Sequence, residues 1–543
     1  MGKDKDNTDQ IKKRAIGGTL TLTARRVILK AIDALGMIFL ARLLTQSEFG
    51  IFGIINFVVF TLFGFLSDIG LGASLIQKKE KLKKDDLSTV FSAQLILVLL
   101  LNVLVWVLSP WLINVYHLSH SAIWLVRVTA FCLILTSFKT IPSVLLEKEL
   151  LYHKLLIPDV AETISFNLLA VILAYFHFGV WSLTIALVVR TFLGAIILFV
   201  VSPWPIIFGI NKKSLKHLLS FGIPYQTNSL LALLKDNLTP TIIAFFYGPA
   251  AVGFVNLAQG IASKPMEITN VVNRVVFPTF SKIQNNREQV ARWMEKGIKM
   301  MSYLYFPLVF GLLVTARPIL TFVYASKSDK WLPSLSVLYP FLIGALPVVM
   351  TTTATNVLYA LGYSKTVLRL MVVYTALTWA VGVPLIIKIG YSGIAWAGMA
   401  VAVVSVVLVL REFKKIKIEF SLQRAIMLPF WASFLMAATI YWPTKAYIRG
   451  IPSLLGVIIL GAAFYIFYLF LLLRGRIREE IRLFWDLLPR KERKEMSSRG
   501  SSTDGRRIPF GSKVTFSLLR DSSPADEAGS RMTHNQARMT GNG

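Results

Sequence analysis

A single cysteine, Cys132, stands in the whole chain. It lies inside an apolar run, and with no second thiol an intramolecular disulfide is excluded. Charge is scarce as well. Asp, Glu, Lys and Arg make up 16% of the 543 residues, where a soluble chain carries about 25%. No connection between the apolar runs is long enough to fold by itself. The longest, near 77–87 and 281–299, leave no room for a separate active site. His117 and His120 share a loop but have no carboxylate or cysteine partner nearby in sequence, which makes a poor zinc site. The "GLG" from Gly70 to Gly72 lacks the third glycine and the strand–helix context of a dinucleotide loop. Neither a nucleophile elbow nor a zinc motif is found. These absences argue against an enzyme, a cofactor or a metal. The opening segment "MGKDKDNTDQIKKRAIGG" also lacks the apolar core of a cleavable signal peptide. The expectation is a chain retained whole, with its first span as the insertion signal.

What the chain does have is hydrocarbon. It is 55% hydrophobic, with a mean hydropathy of +0.62. Runs of membrane-spanning length recur from end to end, "FSAQLILVLLLNVLVWVL" and "LLGVIILGAAFYIFYLFLLL" among them. About fourteen spans are read, the first over 18–43, the second over 50–74, the seventh over 219–246 and the eighth over 250–277. The predicted fold is therefore an all-α integral membrane protein. Lys and Arg crowd into alternate connections at a ratio of about five to one, as at Lys78 to Lys84 and Lys212 to Lys216, while the opposite set holds little beyond Lys327, Lys330, Lys388, Lys445 and Arg449. This predicts cytoplasmic N- and C-termini in a cell (inner) membrane. It also accounts for the net charge of +29 without nucleic acid.

An internal repeat is discernible. "LLTQSEFGIFGIINF" (43–57) has a counterpart in "FFYGPAAVGFVNLAQ" (245–259), with Gly50 on Gly253. Val144 falls on Val357 and Gly179 on Gly393, in the same order and at similar offsets. Duplication of a six-span unit follows, both copies inserting in one orientation, with a cleft at their midline. The organisation predicted is a cytoplasmic N-terminal tail (1–17), an N-lobe of spans one to six (18–201), a C-lobe of spans seven to twelve (202–411), spans thirteen and fourteen (412–475), and a mostly disordered cytoplasmic tail (476–543), rich in Ser, Gly and Arg.

Charges inside spans are costly and are candidates for function. The first span holds Arg26, Lys30 and Asp33 at i, i+4 and i+7. The seventh holds Asn228, Lys235 and Asp236. On the eighth, Asn256, Gly260, Ser263, Glu267, Asn270 and Arg274 fall on one helical face, a polar seam that would front the cleft. Arg127, Asp159, Glu162 and Arg190 lie in spans four to six. The plainer reading for Arg127 and Arg190 is a bridge between packed helices, and for Asp159 and Arg274 a reach to the interface.

The stretch "EFGIFGIINFVVFTLFGFLSDIGLGASLIQ" (48–77) is similar to the second-span region of Wzx-type polysaccharide and O-antigen flippases. "IPSVLLEKELLYHKL" with "FGVWSL", and the segment 218–284, resemble the colanic-acid exporter branch of that family. The family belongs to the multidrug/oligosaccharidyl-lipid/polysaccharide exporter superfamily. The chain departs from that branch at Lys235, where arginine is frequent, and at Glu147-Lys148, where Gln-Arg is frequent. The resemblance implies a flippase for lipopolysaccharide and related polysaccharide biosynthesis. Its substrate would be an oligosaccharide repeat unit on a polyisoprenyl pyrophosphate. Arg26, Lys30, Lys235 and Arg274, with Asn228, Asn256 and Asn270, would receive the pyrophosphate and sugars. Asp33, Asp236 and Glu267 would be candidates for coupling to H+ or Na+. Membrane lipids and polysaccharide assembly proteins are the further partners it suggests. The alternatives are a MATE-like exporter of organic cations and a membrane polysaccharide polymerase or ligase.

Overall fold

The computed structural model describes residues 28–473 except 79, 81, 221, 224–225, 227–237, 268–279, 281–285 and 327. Among the described residues there is no strand, and twelve helices are long and apolar enough to cross a membrane. An all-helical answer is what hydrocarbon requires, since each backbone N–H and C=O must be satisfied within its own segment. The helices are α1 (28–43), α2 (Gln46–Ser67), α3 (Leu71–Gln77), α4 (Lys84–Val115), α5 (Ala122–Lys148), α6 (Tyr152–Tyr175), α7 (Val180–Val201), a short connecting α8 (212–220), α9 (Thr239–Ala262), α10 (Arg287–Tyr324), α11 (Leu335–Ala360), α12 (Ser364–Ile389), α13 (Gly393–Lys415), α14 (Leu422–Tyr447) and α15 (Ile451–Leu473).

Three details differ from the sequence reading, each for a local reason. The connection expected over 281–299 is helical from Arg287. Asn286 caps it by accepting the Gln289 N–H at 3.0 Å, and Val290, Met294 and Ile298 bury one face of the extension. The second span starts at Gln46, where Thr45 and Glu48 form a reciprocal capping box, and it stops at Ser67. Gly70, at φ 72, then turns the chain into α3. The eighth span does not run unbroken through 277. Its helix ends at Ala262 and the bonds tighten to i→i+3 spacing, as Met266 N–H to Ser263 O (3.0 Å) and Glu267 N–H to Lys264 O (3.2 Å). Pro265 explains this, because it has no N–H to give the carbonyl four residues back. Among the described residues the polar seam is one helical face from Asn256 to Ser263, and Glu267 follows a turn.

Helix α9 contains a bend of its own. Gly248, at φ 73 and ψ −176, separates the end of the expected seventh span from the start of the eighth. Packing then falls into two groups. In the first, α4 lies on α5, and α7 on both α5 and α6. In the second, α10 carries α14 and α11, α13 lies on α11 and α12, and α15 flanks α14. The main junction between them is α2 against α9.

That junction is made of glycine. A Cβ at Gly50 would overlap the Pro249 carbonyl oxygen, and a Cβ at Gly253 would overlap that of Gln46. The contact is reciprocal at a constant sequence offset, the signature of a pseudo-two-fold axis between repeat-related helices. One turn beyond these two contacts, Gly53 faces Asn256, its own counterpart in the repeat. Small residues let backbones approach where lipid supplies no hydrophobic drive.

Candidate functional site

Just past the glycine contacts the two helices diverge around a cavity of about 410 Å³. Its polar lining comes from Asn56 and Thr61 of α2 and from Asn256, Gln259 and Ser263 at the end of α9. Asn56 and Gln259 are themselves repeat counterparts, so the cavity straddles the same axis. On the α2 side the wall is a π-helical segment, Asn56–Phe63, an irregularity frequent at functional sites. The lining offers amides and hydroxyls, which hydrogen-bond sugar hydroxyls as donor and acceptor. Among the described residues it contains no carboxylate.

Helix α1 flanks this cleft, antiparallel to α9. A Cβ at Gly260 would lie 2.7 Å from Met37 Cε, and two turns away Lys30 Nζ lies 3.0 Å from a Glu267 carboxylate oxygen. Both side chains of that pair are about half exposed, at 57% and 48%, and Glu267 lies one turn past the cavity-lining Ser263. Asp33 turns another way. It accepts a hydrogen bond from Asn167 Nδ2 of α6 at 3.1 Å, and Gly36 makes room for the same amide.

A second charged group is buried within the first helix group. Glu162 of α6, 7% exposed, pairs with Lys139 of α5 and with Arg190 of α7, whose Nε lies 3.5 Å from Oε2. Gly194 leaves the space that the Glu162 carboxylate fills. Arg127, by contrast, donates to Ser109 Oγ at 3.1 Å and lies over Trp106 and Trp124, joining α4 to α5.

One end of the cleft is latched. Arg42, at the end of α1, donates from Nε to Val323 O (2.7 Å) and from Nη2 to Phe322 O (3.0 Å). Lys330 Nζ returns bonds to Arg42 O (2.8 Å) and Leu44 O (3.0 Å), and buried Trp331 donates to Ala41 O (2.9 Å). Phe49 and Phe254, one from each side of the seam, meet the Trp331 ring edge-on. Burial holds the Lys330 ammonium below the usual lysine range, opposed by the Glu48 carboxylate.

Of the residues expected at the site, the structure brings Asn256 to the cavity, pairs Lys30 with Glu267 beside it, and turns Asp33 toward α6. Arg26, Asn228, Lys235, Asp236, Asn270 and Arg274 lie outside the described residues. Asn56, Thr61 and Gln259 were not anticipated. The signal that could have found them is the repeat itself, which pairs Asn56 with Gln259. Lys139 was passed over because it falls at the expected end of its span.

Comparison with known proteins follows the same lines. A family model described as "Polysaccharide biosynthesis protein" matches residues 39–336. The chain is similar to an uncharacterized membrane protein in the cps region of Klebsiella pneumoniae, 26% identical over 73% of this chain and 79% of that protein. It is also similar to the lipopolysaccharide biosynthesis protein WzxC of Escherichia coli (strain K12), 24% identical over 60% of this chain and 67% of the relative. Among solved structures it resembles the lipid II flippase MurJ in an inward closed conformation. The TM-score is 0.70 at 19% identity, over 84% of this chain and 99% of that one. At that identity the likeness is one of fold.

Proposed function

Because the chain belongs to the polysaccharide biosynthesis protein family, we propose that it flips polyisoprenyl-pyrophosphate-linked oligosaccharide repeat units across the cytoplasmic membrane. The observation that carries this reading is the polar cavity on the seam between α2 and α9, set among membrane-length helices that carry many exposed apolar side chains. Transport by alternating access needs a site at the interface of the repeats, and this cavity lies there. The head group would pass through the cleft while the isoprenoid tail stays in lipid. An organic cation would call for a carboxylate in the cavity wall. Among the described residues the lining supplies amides and hydroxyls, and the family is one of polysaccharide biosynthesis, so the cation-exporter alternative is the weaker one.

The finer assignments belong to the same proposal. Lys30 and Lys235, with Arg26 and Arg274, supply positive charge for the pyrophosphate. Asn228, Asn256 and Asn270 contact head-group oxygens. Glu267, Asp33 or Asp236 couples transport to H+ or Na+. In the Lys30–Glu267 pair an entering pyrophosphate would compete with the carboxylate for the ammonium, releasing Glu267 to take the coupling ion. Transport of lipid-linked oligosaccharide into proteoliposomes is expected to respond to an imposed ion gradient. Glu267→Gln is expected to keep substrate binding while losing that response. Failure of the wild-type protein to move lipid-linked oligosaccharide under any gradient would overturn the function. An unchanged gradient response in Glu267→Gln would remove only that residue.

The same proposal puts both termini in the cytoplasm, on the distribution of Lys and Arg among the connections. In a Cys132→Ser background, Ser119→Cys should react with an impermeant maleimide on intact cells, and Lys81→Cys should not. The reverse pattern would invert the orientation.

A further inference from the structure

A groove of about 470 Å³ opens between α1, the end of α6 and the segment that Arg42 grips. Phe39, Ile172, Tyr175 and Phe176 give it apolar walls, Ser326 adds a hydroxyl, and among the described residues Arg42 is its one charged lining residue. We propose that this groove is a binding site for an anionic phospholipid of the surrounding bilayer, with the lipid phosphate on Arg42 and an acyl chain along Phe39 and Ile172.

The depth fits. Helix α1 ends at residue 43 and α6 at Tyr175, so the groove lies at helix ends, where headgroups meet hydrocarbon. Tyr175 and Phe176 are 68% and 64% exposed there, the placement of an interfacial aromatic belt. The charge fits as well. The Arg42 guanidinium has five N–H donors. Two bonds go to neutral carbonyl oxygens, which leaves donors free and the positive charge uncompensated. Among the described residues no carboxylate forms an ion pair with it. The Glu48 carboxylate is occupied by the Thr45 N–H (2.7 Å) and hydroxyl (2.9 Å). An interfacial arginine with nothing to hold it swings toward water. Arg42 is instead fixed by the Val323 and Phe322 carbonyls, so a phosphate meets a preorganised donor fork. The occupant would sit against the latch and join α1 and α6 to the 322–326 segment.

The test uses the full chain, purified and equilibrated with equal amounts of phosphatidylglycerol and phosphatidylethanolamine, with bound lipid read by native mass spectrometry. Phosphatidylglycerol should be retained preferentially. Arg42→Gln should lower that retention about tenfold, equivalent to ~1.4 kcal/mol. Arg42→Gln also loses latch bonds and could fail to fold. Ile172→Trp, which fills the groove and leaves the latch untouched, should lower retention by a similar factor. Equal retention of the two lipids, or undiminished phosphatidylglycerol in Ile172→Trp, overturns the proposal. Preferential displacement of phosphatidylglycerol by polyisoprenyl phosphate would also overturn it, by giving the groove to the sugar carrier.

Discussion

Gly50→Val and Gly253→Val are each expected to abolish polysaccharide export in a deletion strain. A Cβ at either position meets a main-chain carbonyl oxygen of the opposing helix, Pro249 O or Gln46 O. Backbone cannot rotate aside as a side chain can, so α2 and α9 must separate. Overpacking of this kind costs about 1–3 kcal/mol, and the separated helices also form the wall of the cavity. Gly50→Ala and Gly253→Ala should already impair export, since the first carbon makes the clash. Gly311→Ala is the matched control, because a Cβ there meets nothing within 4 Å. Export is scored against membrane protein level on blots. Normal export by Gly50→Val at normal level would show that the seam opens without cost and would remove it as the close contact between the two halves.

The seam was legible as a repeat before it was visible as a contact. Aligning Gly50 with Gly253 requires only the order of polar turn, glycine and aromatic residues. What the alignment could not supply is that the two glycines face each other's neighbours across an axis, because sequence similarity carries no distance. The spans were legible for a related reason: hydrocarbon thickness imposes a length, and composition records it. Local backbone events were harder. Pro265 lies within the seam, yet the regular spacing of Asn256, Gly260, Ser263 and Glu267 hides the break it makes. The π-helical turn at Asn56–Phe63 has no composition of its own, since it is a change of hydrogen-bond register within an apolar run. Helix beyond the membrane, as at Arg287–Lys299, follows amphipathic periodicity that a search for long apolar runs discards. Among the site residues, those carrying charge stood out because hydrocarbon makes charge conspicuous. The amides and hydroxyls of the cavity did not, since single Asn, Gln and Thr residues are common where helices pack.

Glu162→Ala is expected to give the largest loss of stability. The carboxylate is buried and serves two cations on two other helices, Lys139 of α5 and Arg190 of α7. Removing it leaves Lys139, the more buried of the two cations, without its counter-charge, and breaking a buried pair from one side costs about 3–5 kcal/mol. Glu162→Gln keeps the shape and one hydrogen bond but not the charge, so it should fall between wild type and Glu162→Ala. The double variant Glu162→Gln/Lys139→Met should recover part of the loss, because it removes an orphaned cation along with its partner. That recovery is the signature of a direct interaction in a double-mutant cycle. Arg190 keeps a second contact over the Phe166 ring at 5.6 Å and is more exposed than Lys139, so pairing Glu162→Gln with Arg190→Met should recover less. Gly194→Ala should destabilise too, since its Cβ overlaps the carboxylate. Thermal unfolding of the detergent-purified chain reads each step. Additive losses in both double variants would mean that the three residues do not act as one cluster. Additivity with Lys139 but recovery with Arg190 would reverse the assigned order of the two partners. A transport role would appear separately, as a changed ion-gradient response in Glu162→Gln at equal folded yield. A bridge that only holds α5, α6 and α7 together leaves that response unchanged in the protein that remains folded.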